Sequence, residues 1–226
     1  DIYFVMGQGT YNSGTHTIYK LDGAVVNSAN IDFDLDGIST INWAGFASMI
    51  TEVGALPTVT INEGATASNN FIRNRLTTLT ATAQTAENIV GTYTLTLTGG
   101  SLNFENNITF LTPETLGVIN QPIGHVTGTR NIGGSFTCYL NSTADSSMDL
   151  FERIIEDSDT ITNKFDLSFK VGGAAAVPRV EFDMAACHLE VPTHSIDDVI
   201  SLEVNFHALG TDISSTDEIA IKYIGA

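Results

Sequence analysis

The residues with the most obvious chemical promise are Asp32, Asp34 and Asp36, which precede Gly37 in the segment IDFDLDG. Alternate carboxylates ahead of a glycine match the opening of a calcium loop, in which several oxygens converge on one hard cation. The bidentate carboxylate that should close such a loop falls at Trp43, whose indole cannot ligate. The competing reading is a strand that turns Ile31, Phe33 and Leu35 inward and the three aspartates outward. Like charges on one strand face repel, so a cation or a nearby arginine would relieve them. The strand reading is preferred and no resident metal is expected, with the three aspartates retained as calcium candidates.

Other chemistry lacks its spacing. His16, His125, His188, His194 and His207 form no HxH, HxxxH or Cys/His ligand pattern. There is no GxSxG elbow, and no Ser, His and Asp stand at the spacing of a known triad family. Gly7 and Gly9 in GQGTYNSG have neither the lysine nor the βαβ setting of a phosphate loop, and read as a turn. Paired carboxylates carry little information in a chain with 26 acidic residues. The chain reads as non-catalytic and without a cofactor. Cys138 and Cys187 lie on apolar-alternating segments and read as buried thiols, with a disulfide open if two strands bring them together.

The charge balance of 26 acidic against 9 basic residues gives a net charge of −17, although charged residues make up only 15% of the chain. The excess is thus spread through a Thr-, Asn- and Gly-rich sequence rather than gathered in a disordered tail. Duplex affinity depends on Lys and Arg displacing counterions, so ordinary DNA binding is excluded. No secretion leader or apolar run of membrane-spanning length is recognisable, and no membrane contact is expected. With 226 residues the chain can build one large β domain, or two small ones with a shared core.

The elements that must position these residues are mostly strands. Phe165, Leu167, Phe169 and Val171 alternate with Lys164, Asp166, Ser168 and Lys170; Ile200, Leu202, Val204, Phe206 and Ala208 alternate with Ser201, Glu203, Asn205 and His207. A period of two means a sheet with one face in a core and one face wet. One helix is expected over residues 146–157, opened by a capping box of Ser146 and Asp149. Its apolar stripe is Met148, Phe151, Ile154 and Ile155, with Leu150 at the edge.

Further strands are expected at Ile2–Met6, His16–Leu21, Ala24–Leu35, Phe71–Gln84 and Gly91–Thr98. Arg73 and Arg75 would share one strand face and lie against carboxylates of a neighbour. Gly99-Gly100 reads as a turn, NEGATASNN as a mobile or intersubunit loop, and Thr112-Pro113 as the start of a short helical turn. Val180, Phe182 and Met184 share one phase, and Cys187, Leu189 and Val191 the other, which predicts a bulge at Ala185-Ala186. Trp43 is a core or subunit-interface anchor. The terminal EIAIKYI is a strand whose edge a neighbouring chain could fill. The fold class is mainly β, a β-sandwich with barrel-like character and one flanking helix.

The segments IGHVTGTRNIGGSFTCYLN, DLFERII, FDLSFKVGG, PRVEFDMAACHLEVP and SLEVNFHALG together resemble the tail-tube proteins of long-tailed bacteriophages. That family shows a GxR…GSxTxYL strand, one helix, and a long hairpin ending in F-x-A. The matching positions here are Gly128 and Arg130, Gly134 to Leu140, residues 146–157, and Phe206 with Ala208. The likeness covers roughly residues 100–210 and, loosely, 24–45. Residues 46–100 depart from it and are read as an insertion or extra subdomain within a single tail-tube domain spanning 1–226.

The resemblance implies rings, usually hexameric, that stack into a hollow tube carrying DNA from capsid to cell. The fold is shared with contractile-tail and type VI secretion tubes. Implied partners are further copies of the chain and the terminator, distal-tail and tape-measure proteins, with DNA passing unbound. The implied location is the virion tail, after synthesis in the host cytoplasm. Such a tube needs an acidic lumen, for which Glu181, Asp183, Glu190, Glu203 and Asn205, together with Asp32, Asp34 and Asp36, are candidates. Interface candidates are Trp43, Arg73, Arg75, Arg130 and Arg179, the last two as ring or inter-ring salt bridges. Two alternatives stand beside this reading. One is another virion subunit, a decoration or tail-terminator protein; the other is a secreted calcium-binding β-sandwich adhesin.

Overall fold

The computed structural model describes residues 1–7, 16–55, 57, 72–84, 91–112, 122–156, 164–173, 178–196 and 200–224. The expected NEGATASNN loop and the helical turn after Thr112 lie outside them. In the first half of the chain the strands are β1 (Ile2–Gly7), β2 (His16–Asp22), β3 (Val25–Phe33), β4 (Ile41–Phe46), β5 (Met49–Val53) and β6 (Thr78–Ala83). There follow β7 (Thr92–Leu95), β8 (Leu97–Glu105), β9 (Ile108–Leu111), β10 (Gly124–Thr127) and β11 (Asn131–Tyr139). Helix α1 (Ser147–Glu156) precedes β12 (Phe165–Val171), β13 (Arg179–Leu189), β14 (Thr193–Ile196), β15 (Ile200–Ala208) and β16 (Ala220–Ile224).

The chain forms two compact units. The first comprises Asp1–Ala29, Trp43–Glu63 and Glu105–Arg130. It holds an antiparallel sheet in the order β1-β2-β5 and the hairpin of β9 and β10. Asn106 and Asn107 make the turn into that hairpin. Asn107 takes φ +49°, a left-handed value that asparagine tolerates. The Asn106 amide donates to the Val26 carbonyl at 2.9 Å, and the Asn27 side chain accepts the Ile108 N–H at 2.7 Å.

The second unit comprises Asn30–Asn42, Gly64–Phe104 and Asn131–Ala226. Its strands follow the order β4-β3-β8-β11-β15-β13-β12-β6-β7, with β14 beside β15 and β16 beside β13; of β3 only residues 30–33 and of β4 only residues 41–42 belong to this unit. Phe33 of β3 stacks on Phe169 of β12 with centroids 5.6 Å apart, although four strands separate them in the order. The sheet therefore curls over itself as a sandwich does, while its ends, β4 and β7, do not pair among the described residues. The barrel is not closed. Phe136, Phe165, Phe169, Phe182 and Phe206 are all buried inside this curl, and burying a ring of this size contributes about 1.5–3 kcal/mol.

The alternation on β12 and β15 appears as expected, with Phe165, Leu167, Phe169, Leu202, Val204 and Phe206 buried. The bulge is where the phase change placed it. Phe165 opposes Cys187 while Leu167 opposes Met184, so β13 holds one residue more than β12 at Ala185-Ala186. Val191, expected inward beyond it, is exposed because β13 has ended at Leu189.

Four local expectations are corrected. Gly99-Gly100 is not a turn but the middle of β8. A Cβ on Gly100 would meet the Ser135 carbonyl oxygen of β11 at 2.4 Å, and one on Gly134 would meet that of Ser101 at 2.0 Å. These glycines allow two neighbouring strands to approach closely. Arg73 and Arg75 do not share a strand face, because a 3-10 turn at Asn74–Leu76 precedes β6. The capping box is shifted: Asp149 accepts the Asp145 N–H at 2.7 Å, and the Ser146 hydroxyl donates back to the Asn141 carbonyl at 2.6 Å. Finally Leu150, placed at the edge of the helix stripe, is buried with Ile154, whereas Met148 and Phe151 are half-buried.

Cys138 and Cys187 are both buried and free. They oppose Leu202 and Ala208 on the same strand, β15, which separates them by roughly 20 Å at the rise of an extended chain. That distance closes the disulfide alternative. Loss of water pushes the Cys138 thiol up to about 11, and burial with the nearby Asp166 carboxylate pushes Cys187 up to about 12. Both are packing residues rather than nucleophiles.

Candidate functional site

Among the described residues the features that stand out are surfaces. In the first unit that surface is apolar. Ile2, Val26, Trp43, Phe46, Met49 and Ile50 are all exposed and line one open groove of about 580 Å³. Trp43 is 58% exposed, which removes the core reading. Beside it β1 shows Phe4, Val5 and Met6 to solvent as well. Sequence reasoning placed a strand at Ile2–Met6 but no exposed surface on it, although its run IYFVM is apolar on both phases. A strand apolar on both faces needs cover on both. A contiguous apolar surface of this kind marks an interaction site.

In the second unit the outward face of β13 and β15 is polar. Glu190, Glu203 and Asn205 are exposed. Asn205 donates to Glu190 at 3.0 Å, and His207 Nε2 lies 3.5 Å from the other Glu190 oxygen. Glu203 stands opposite Thr137 of β11 and Thr193 of β14.

The other two residues of this candidate group are engaged within the chain. Glu181 is buried and takes the Arg179 Nε–H at 2.8 Å, so this arginine serves an internal ion pair. Asp183 is half-buried and paired with Lys222 of β16 at 2.6 Å and with the Ser168 hydroxyl at 2.6 Å. Burial by itself would raise the Asp183 carboxyl, but these hydrogen bonds and the charges of Lys222 and Lys170 hold it below the usual carboxylate range. The pairing is tertiary, since Lys222 reaches β13 through the register Glu181↔Lys222. Nothing local in the sequence signals it.

The remaining charged candidates are all exposed. Arg73 is exposed on an isolated bridge to Ile38, Arg75 is exposed in the 3-10 turn, and Arg130 is exposed just before β11. Asp32, Asp34 and Asp36 are exposed where β3 runs out. Among the described residues no group of three His, Cys, Asp or Glu side chains is placed to hold a metal ion.

The family described as phage tail tube protein matches residues 4–208, a range that includes most of β1, the apolar groove apart from Ile2, α1 and the polar face of β15. The chain belongs to the phage tail tube protein family. It is also similar to the tail tube protein pb6 of Escherichia phage T5, with 29% identity over 206 residues, 88% of this chain. It spans 44% of the length of that relative. Membership in this structural family places the tail tube chain in the virion tail. Among the described residues no helix is long and apolar enough to cross a membrane.

Proposed function

We propose that this tail tube chain polymerises with copies of itself into stacked rings that form the hollow conduit for phage DNA. The observation that carries this reading is the coexistence of two unlike surfaces on a family member. One is an exposed apolar groove around Trp43, and the other an exposed acidic and polar face at Glu190, Glu203 and Asn205. Chains of net charge −17 repel one another, so association must draw on apolar contact. The apolar surface supplies it between copies. The polar face is assigned to the lumen, where fixed negative charge keeps phosphate from binding.

Terminator, distal-tail and tape-measure proteins are the partners of such a tube at its ends and along its axis. The ring holds six copies, or three if the whole protein carries the fold twice. Residues 1–226 act as one tail-tube domain in this reading.

The lumen assignment has a direct test. Replacing Glu190 and Glu203 by Lys together changes two exposed side chains and is expected to leave tubes intact. DNA release should slow by about tenfold, because a cationic wall holds the backbone that an acidic wall repels. Wild-type ejection kinetics in virions with this double variant would remove these residues from the lumen.

A further inference from the structure

The three aspartates that opened the sequence reading find no closing ligand nearby in the chain, but the fold brings oxygens from elsewhere. Beyond β3 the chain turns, and Asp34 Oδ1 accepts the Gly37 N–H, leaving its second oxygen outside that bond. The 3-10 turn docks against this loop. Ser39 N–H donates to the Ile72 carbonyl at 2.9 Å, and Asn74 N–H to the Gly37 carbonyl at 3.1 Å. Asn74 is thereby 95% buried, with 5% of its surface exposed. Its Nδ2 donates to the Asp32 carbonyl at 3.4 Å, which fixes the amide orientation because a carbonyl requires a donor there.

The opposite end of that amide is an acceptor without a partner. Asn74 Oδ1 and Thr77 Oγ1 are both buried and make no hydrogen bond. A buried acceptor left unsatisfied is costly and calls for an explanation. Both residues line one cavity of about 20 Å³ together with Asp34. Its size suits a single small occupant, since about 10–15 Å³ suffices for one water-sized sphere.

We propose that this cavity binds one calcium ion, with Asp34, Asn74 and Thr77 as oxygen ligands. A carboxylate, an amide oxygen and a hydroxyl are hard donors that suit calcium and offer nothing to a soft metal. Asp32 and Asp36 add negative potential without needing to coordinate. Arg75 lines the same cavity with an exposed side chain, and its charge keeps the site in the weak class, roughly 10⁻⁴–10⁻³ M. Bound calcium would tie the end of β3 to the start of β6.

The test is thermal melting of the full chain in EGTA and then with CaCl₂ added to about 10 mM. A ligand of that affinity raises Tm by roughly 3–10 °C for a chain of this size. Asp34→Asn still offers an acceptor to Gly37 and should fold, yet lose most of the rise; Asp36→Asn should keep it. Equilibrium dialysis with calcium should find one ion per chain in the wild type. No rise and no bound ion would overturn the proposal and leave a water in the cavity. An equal rise with MgCl₂, or an undiminished rise in Asp34→Asn, would also overturn it, as screening of the acidic surface.

Discussion

Replacing Trp43 by Ser should raise the concentration needed for tube assembly by about 30-fold, which corresponds to a loss of about 2 kcal/mol per contact. Trp43 is 58% exposed and lines the apolar groove, and buried aromatic anchors dominate the energy of interfaces. The same exposure means that the folded chain loses little packing when the ring is removed. The melting temperature of the variant subunit should therefore stay within a few degrees of the wild type, while sedimentation shows small species where the wild type forms polymers. Assembly at the wild-type concentration would show that the groove is not a contact between copies.

A second substitution acts inside the subunit. Gly134→Val should destabilise the chain by about 3 kcal/mol or more, in the upper range for overpacking, and lower Tm by roughly 6–12 °C. A Cβ at this position meets the Ser101 carbonyl oxygen at 2.0 Å and the Leu102 Cα at 3.1 Å. Both are backbone atoms of β8, so no side-chain rotation relieves the clash and the two strands must separate. Phe136 and Leu102, buried on those same strands, would separate with them. A Tm within two degrees of the wild type, read by circular dichroism, would contradict this account of the close strand approach.

Where one face of a strand meets the core, period-two alternation was enough to place it. β12, β15 and the bulge of β13 were legible for that reason. Gly99-Gly100 misled because a glycine pair signals a turn and a close approach of neighbouring strands equally well, and only the partner strand distinguishes them. Arg73 and Arg75 misled because two residues with one between them have the same spacing on a strand and in a 3-10 turn. The candidate surfaces were legible only in part. Glu203 and Asn205 follow from alternation, but the ion pairs of Glu181 and Asp183 depend on Arg179 and Lys222, and Lys222 is brought alongside by register and not by spacing. Trp43 stood open between core and subunit interface, because an aromatic residue on a strand fits either, and its exposure removes the core. The oxygens of Asn74 and Thr77 beside Asp34 could not be read either, because β3 and the 3-10 turn meet only in the folded chain.

The measurement that tests the central claim most directly is negative-stain electron microscopy of the purified chain at low and high concentration. Polymerisation predicts rings that stack into hollow tubes as concentration rises, with a channel wide enough for duplex DNA and a symmetry of six or three. Monodisperse single chains or closed, non-stacking rings at every concentration would contradict it.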